Sequence, residues 1–184
     1  MARKIGLGAC LTLLLILVGI VGCSKEPSVS NDTHVTAAPG REGGKYILPT
    51  EPANASDVIQ TRKEAKDGDS VVVVGRVGGS KEPLVKGRAA FTIVDVSLKS
   101  CSDMEGDNCP TPWDYCCASK DELARGTVMI KFTDDQGKTL ARDAKDFLGI
   151  EPLNTVVVQG RAKRDADGNL TVLANGIYVR PLKK

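Results

Sequence analysis

Ser70-Val71-Val72-Val73-Val74-Gly75-Arg76-Val77 is the stretch on which the fold turns. Four consecutive valines are β-branched and stiff at χ1, which suits a pleated strand better than a helix. A short apolar run of this length reads as a buried strand, and Gly75 inside it predicts a bulge or a bend. Downstream, Arg88 to Leu98 alternates. Ala90, Thr92, Val94 and Val96 fall on one side, and Phe91, Ile93 and Asp95 on the other. Gly126 to Thr133 puts Val128, Ile130 and Phe132 on one face, and Asp134-Asp135-Gln136-Gly137 then turns the chain. Leu140 to Leu148 reads as a short helix ending at Gly149. Asn154 to Lys163 is a second valine-rich strand, joined through Asp165-Ala166-Asp167-Gly168-Asn169 to a last strand over Leu170 to Val179. Upstream, Ser56 is placed to cap a short helix with Val58, Ile59 and Ala65 as its apolar positions and Gly68 beyond its end.

The order is therefore three strands, a helix and two strands, over a length that suits one domain. The runs Val74-Gly75-Arg76-Val77-Gly78, Val158-Gln159-Gly160-Arg161 and Ala174-Asn175-Gly176-Ile177 resemble the OB-fold of small exported bacterial proteins, over about Ser56 to Arg180. The resemblance implies an all-β domain with minor α content: a small five-stranded OB-like Greek-key barrel with a short N-terminal helix and a Cys-rich loop insertion. There is also a loose similarity to the membrane-tethered haem chaperone of cytochrome c maturation, which binds haem through a histidine near its C-terminal end. Here that region reads Tyr178-Val179-Arg180-Pro181, so the haem function does not carry over and no cofactor is expected.

The N-terminus has the three parts of an export signal. Arg3 and Lys4 are followed by an uncharged apolar run from Ile5 to Gly22, and Ile20-Val21-Gly22-Cys23 forms a lipobox. Gly6, Gly8, Gly19 and Gly22 interrupt the run, which argues against a bilayer-spanning helix of about 20 residues. Residues 1–22 are expected to be a signal peptide, with Cys23 the lipidated first residue of the mature chain. Residues 23–55 are expected to be a flexible tether and 56–184 the barrel domain. The protein would sit on the cell membrane or outer membrane, facing the periplasm or exterior, with an envelope protein or small ligand as partner.

Between the second and third strands lies Cys101-Ser-Asp-Met-Glu-Gly-Asp-Asn-Cys109-Pro-Thr-Pro-Trp113-Asp-Tyr115-Cys116-Cys117. Its second half resembles a Cys-Pro-Thr-Pro-Trp-Asp-Tyr-Cys-Cys signature of lipoproteins from planctomycete-type bacteria. Four cysteines in an exported domain suit two disulfides, joining Cys101 and Cys109 to Cys116 and Cys117 in an unassigned order. The alternative is a metal site for zinc or a softer ion such as Cu(I), although C-x₇-C-x₆-C-C lacks the C-x₂-C knuckle of zinc ribbons. Trp113 and Tyr115 offer an aromatic platform for a ligand, or a small core covering the cysteines. Ser119-Lys120-Asp121-Glu122 is a capping box that starts a short helix.

The composition narrows the function. The formal charge of +2 falls to neutral once Arg3 and Lys4 leave with the signal, and aromatics are 4% of the chain. Apart from small clusters such as Arg161, Lys163 and Arg164 no basic face stands out, and the low aromatic content argues against a base-stacking surface, so nucleic acid is not an expected partner. The single histidine, His34, lies in the tether segment, and no phosphate loop or serine elbow occurs. The expectation is a non-enzymatic, membrane-anchored binding or accessory lipoprotein. The alternative is a metal- or redox-handling protein working through the cysteine loop.

Overall fold

The computed structural model describes residues 42–181. The expected signal peptide, Cys23 and His34 lie outside the described residues. In chain order the elements are β1 (Ser56–Asp57), α1 (Val58–Glu64), β2 (Ser70–Val77), β3 (Ala90–Val94), α2 (Lys120–Gly126), β4 (Thr127–Phe132), α3 (Ala144–Leu148), β5 (Thr155–Arg164) and β6 (Leu170–Val179).

Five strands close a barrel. β2 pairs antiparallel with both β3 and β5, β3 with β4 and β5 with β6, while β4 runs parallel to β6. The circuit β2-β3-β4-β6-β5-β2 is the OB Greek key, with α3 in the connection before the fourth barrel strand. Closure leaves the barrel strands no long free edge, which a small β-domain otherwise has to protect. The inner face gathers Val73 and Val77 of β2, Phe91 and Ile93 of β3, Val128, Ile130 and Phe132 of β4, Val156 and Val158 of β5, and Val172 and Ile177 of β6. Leu148 of α3 and Ile150 just beyond it belong to the same core. Val74, on the outer face of β2, is buried as well, and β1 pairs beside it.

Several local expectations change. Gly75 makes no bulge, since the β2–β5 register runs unbroken through it. A Cβ there would lie 2.9 Å from Ile93 Cδ1 and from the Val94 carbonyl oxygen, so the glycine admits β3 where the barrel closes. The bulge falls instead between Gln159 and Gly160, where a Cβ would sit 2.3 Å from the Leu173 carbonyl oxygen. Strand β3 stops at Val94 rather than near Leu98, because Asp95 leaves the ladder to bond side-chain and backbone groups, and Val96 is exposed. Helix α1 is capped by Asp57, whose carboxylate accepts from the Gln60 N–H at 2.7 Å, and not by Ser56.

The folded region also begins before Ser56. Within the segment read as tether, Gly44–Tyr46 forms a 3₁₀ turn. Tyr46 packs edge-on to Phe132 at 5.1 Å between centroids and against Phe147 at 5.5 Å. The Leu48 N–H donates to the Ile177 carbonyl at 2.8 Å, and Glu51 pairs with Arg180. Tyr46, Ile47 and Leu48 are a short apolar run inside a polar stretch, and that run is what docks.

Candidate functional site

The cysteine loop is the connection between β3 and α2, and it is pinned to the barrel at two places. At its start, Ser100 and Asp103 form a reciprocal capping box over the 3₁₀ turn Cys101–Asp103. Asp103 also pairs with Arg76, which projects from β2. Burial opposes ionisation of Asp103, but the Ser100 hydroxyl and N–H and the Arg76 guanidinium together hold its carboxyl below the usual range. At the far end, the Pro112–Asp114 turn docks on the residues that follow β2. The Gly79 N–H donates to the Trp113 carbonyl at 2.8 Å, and Trp113 Nε1 donates to the Lys81 carbonyl at 3.0 Å. Gly78 is required here, since a Cβ would lie 2.6 Å from the Trp113 carbonyl oxygen and 2.8 Å from Tyr115 Cε2.

The aromatic platform expected of Trp113 and Tyr115 divides. Trp113 is half-buried, while Tyr115 is fully buried and adopts a left-handed backbone at φ 59°. That conformation costs a non-glycine residue roughly 1–2 kcal/mol, which burial of the ring offsets. Burial also pushes the phenol up to about 12, despite the nearby Arg76. Tyr115 is therefore the loop's anchor in the protein and offers no face to a ligand. Its reversal of the chain sets Cys116 directly against Cys101.

The loop's four cysteines gather into one sulfur cluster, with the sulfurs unbridged in the structure. Cys101 is completely buried, Cys109 half-buried, and Cys116 and Cys117 exposed. The Cys101 and Cys116 sulfurs lie 3.4 Å apart, and those of Cys109 and Cys116 lie 3.9 Å apart. Contacts with the Cys101 and then the Cys109 thiol raise the pKa of Cys116, and the Cys101 thiol does the same to Cys117.

Two carboxylates complete the cluster. Asp114 Oδ1 accepts from the Cys116 N–H at 2.9 Å, and Asp107 Oδ1 accepts from the Cys109 N–H at 2.7 Å. Each aspartate thus caps the backbone of the cysteine two positions on, in the Asp107-Asn108-Cys109 and Asp114-Tyr115-Cys116 segments. Donor atoms of Cys101, Cys109, Asp114 and Cys116 all lie within 4.8 Å of one another, and so do those of Cys101, Asp107 and Cys117. The repeated Asp-x-Cys spacing is the signal in the sequence that would have singled out both aspartates.

No protein-family model and no curated protein matches the chain. Among solved structures, the hypothetical protein ygiW from E. coli is similar at 13% identity and a TM-score of 0.39, over 70% of this chain and 91% of that one. An OBody, AM1L10, bound to hen egg-white lysozyme is similar at 16% identity and a TM-score of 0.38, over 74% and 99%. At these scores the fold assignment rests on the strand circuit itself, which makes the chain an OB-like closed barrel.

Proposed function

We propose that this protein is a lipid-anchored, non-catalytic binding or accessory module of the cell envelope, held on the membrane by Cys23 and presenting the cysteine loop as its binding element. The observation that carries the reading is the lipobox Ile20-Val21-Gly22-Cys23 at the end of an uncharged apolar run, ahead of the barrel. Several acyl chains, each methylene contributing about 0.8 kcal/mol, suffice for stable attachment. A non-catalytic role is supported by the chemistry available. General acid–base work near neutral pH usually draws on histidine, and His34 precedes the domain. The convergence of four thiols favours a second reading, a metal-handling role in the same compartment.

The anchor is tested by replacing Cys23 with Ser in the full chain and fractionating cells. The variant is expected to accumulate as unprocessed precursor or to leave the lipid-modified membrane fraction. Processing and detergent partitioning identical to wild type would refute the proposal.

A further inference from the structure

We infer that Cys101, Cys109 and Cys116, together with Asp114, form a binding site for a single zinc ion. The inference rests on the loop's role as binding element and is independent of the lipid anchor.

The distances suit the ion. A tetrahedral zinc with Zn–S of about 2.3 Å holds two sulfurs about 3.8 Å apart. The cluster's edges are 3.4 Å for Cys101–Cys116 and 3.9 Å for Cys109–Cys116, and the Asp114 carboxylate lies within 4.8 Å of all three sulfurs. With a zinc–carboxylate bond of about 2.0–2.2 Å the sulfur–oxygen edges of a tetrahedral site are about 3.6 Å, so the carboxylate closes on the ion by at most about 1.2 Å. Asp114 accepts one hydrogen bond at each oxygen, from Thr111 Oγ1 and from the Cys116 N–H, and each oxygen keeps a second lone pair for a metal.

The composition of the cluster also points to a cation. A disulfide joins sulfurs two at a time and has no use for a carboxylate beside them. Here Cys116 borders the Cys101 and Cys109 thiols at once, with an acid alongside. Binding displaces one proton from each thiol, so three thiolates and a carboxylate surround the ion and the occupied site keeps a net charge of about −2. The mixed sulfur and oxygen set selects zinc over Cu(I), which prefers soft donors alone. Cys117 approaches Cys101 but falls outside the four-atom set, so it is left as an exposed thiol beside the site.

The support for the site is already built. Tyr115, Gly78 and the Arg76–Asp103 pair fix the backbone on both sides of the cluster, and the two Asp-x-Cys turns orient Cys109 and Cys116. Such pre-positioning of the groups behind the ligands is what metal affinity depends on.

The test uses the full chain, extracted in detergent without chelator or reductant, alongside its Cys23→Ser form. Elemental analysis is expected to find about one zinc per chain in both forms. Thiol titration is expected to find the ligand thiols reactive only after a chelator is added. Cobalt(II) added to the metal-free protein should give thiolate-to-metal charge-transfer absorption with tetrahedral d–d bands. Cys101→Ser and Cys109→Ser should abolish both signals, with far-UV circular dichroism confirming that the barrel remains. Asp114→Asn should weaken zinc at least tenfold, and Cys117→Ser should leave it unchanged. Disulfide-linked peptides from this loop with no stoichiometric zinc would overturn the site. Stoichiometric Cu(I) in place of zinc would overturn the choice of ion. Full affinity in Asp114→Asn, or its loss in Cys117→Ser, would overturn the ligand assignment.

Discussion

Asp95 is a charged residue with 1% of its surface exposed, at the end of the second barrel strand. Its Oδ2 accepts from the Ile59 N–H at 2.8 Å, satisfying a donor in the first turn of α1. Its Oδ1 accepts from the Ser97 N–H and hydroxyl at 2.9 and 2.6 Å. Burial alone would raise its pKa. The bonds from Ser97 and Ile59 outweigh that and hold the carboxyl below the ordinary range. A depressed folded-state value means the stabilisation is present above the unfolded pKa of about 3.9 and is lost as pH falls through the lower, folded value. Asp95→Ala leaves buried donors without a partner, at about 1–3 kcal/mol. The variant should melt lower than wild type at neutral pH, and the difference should shrink as pH drops below about 4. A gap that persists unchanged in acid would mean that packing, and not the charged acceptor, is what Asp95 supplies.

At the scale of elements, the strands were legible and the contacts between distant segments were not. The period-two alternation of Val128, Ile130 and Phe132, and of Phe91 and Ile93, survives intact in the barrel because one face of each strand is buried. The Ser119–Glu122 capping box starts α2 as read. Gly75 and Gly160 could not be told apart in sequence, since each follows a valine-rich run. The strand pairing separates them: the β2–β5 register runs unbroken through Gly75, and the β5–β6 register shifts between Gln159 and Gly160. The loop was legible as a cysteine cluster, but its hold on the barrel depends on partners far along the chain: Arg76, Gly78 and Lys81. Gly78→Ala tests that hold. Its Cβ would meet the Trp113 carbonyl and the Tyr115 ring, and overpacking of this kind costs about 1–3 kcal/mol. Trp113 is the only tryptophan, so its fluorescence should shift red and become more accessible to a quencher while the far-UV signal of the barrel stays. An unchanged emission spectrum would show that the loop does not rest on Gly78.

For the molecule as a whole, the question is where the folded body begins. A polar average over residues 23–55 suggested a tether running up to Ser56, and composition averages of that kind conceal three adjacent apolar residues. Tyr46, Ile47 and Leu48 pack on the barrel beside Phe132, Phe147 and Ile177. Aromatic pairs of this geometry contribute about 0.5–1.5 kcal/mol beyond the area they bury. The Glu51–Arg180 pair that follows is exposed and adds little. Limited proteolysis of the full chain should therefore cut ahead of Glu42 and spare the stretch from Glu42 to Ser56. Tyr46→Ala should remove both ring contacts, lower stability by roughly 1–3 kcal/mol for a half-buried aromatic, and open the Glu42–Ser56 stretch to the same protease. Cleavage inside that stretch in the wild-type chain would return it to the tether. Protection that survives Tyr46→Ala would assign the docking to Leu48 and the strand-like contact at Ile47 instead. In either of those outcomes the barrel itself should keep its fold, because β2 to β6 close their circuit without any residue ahead of Ser56.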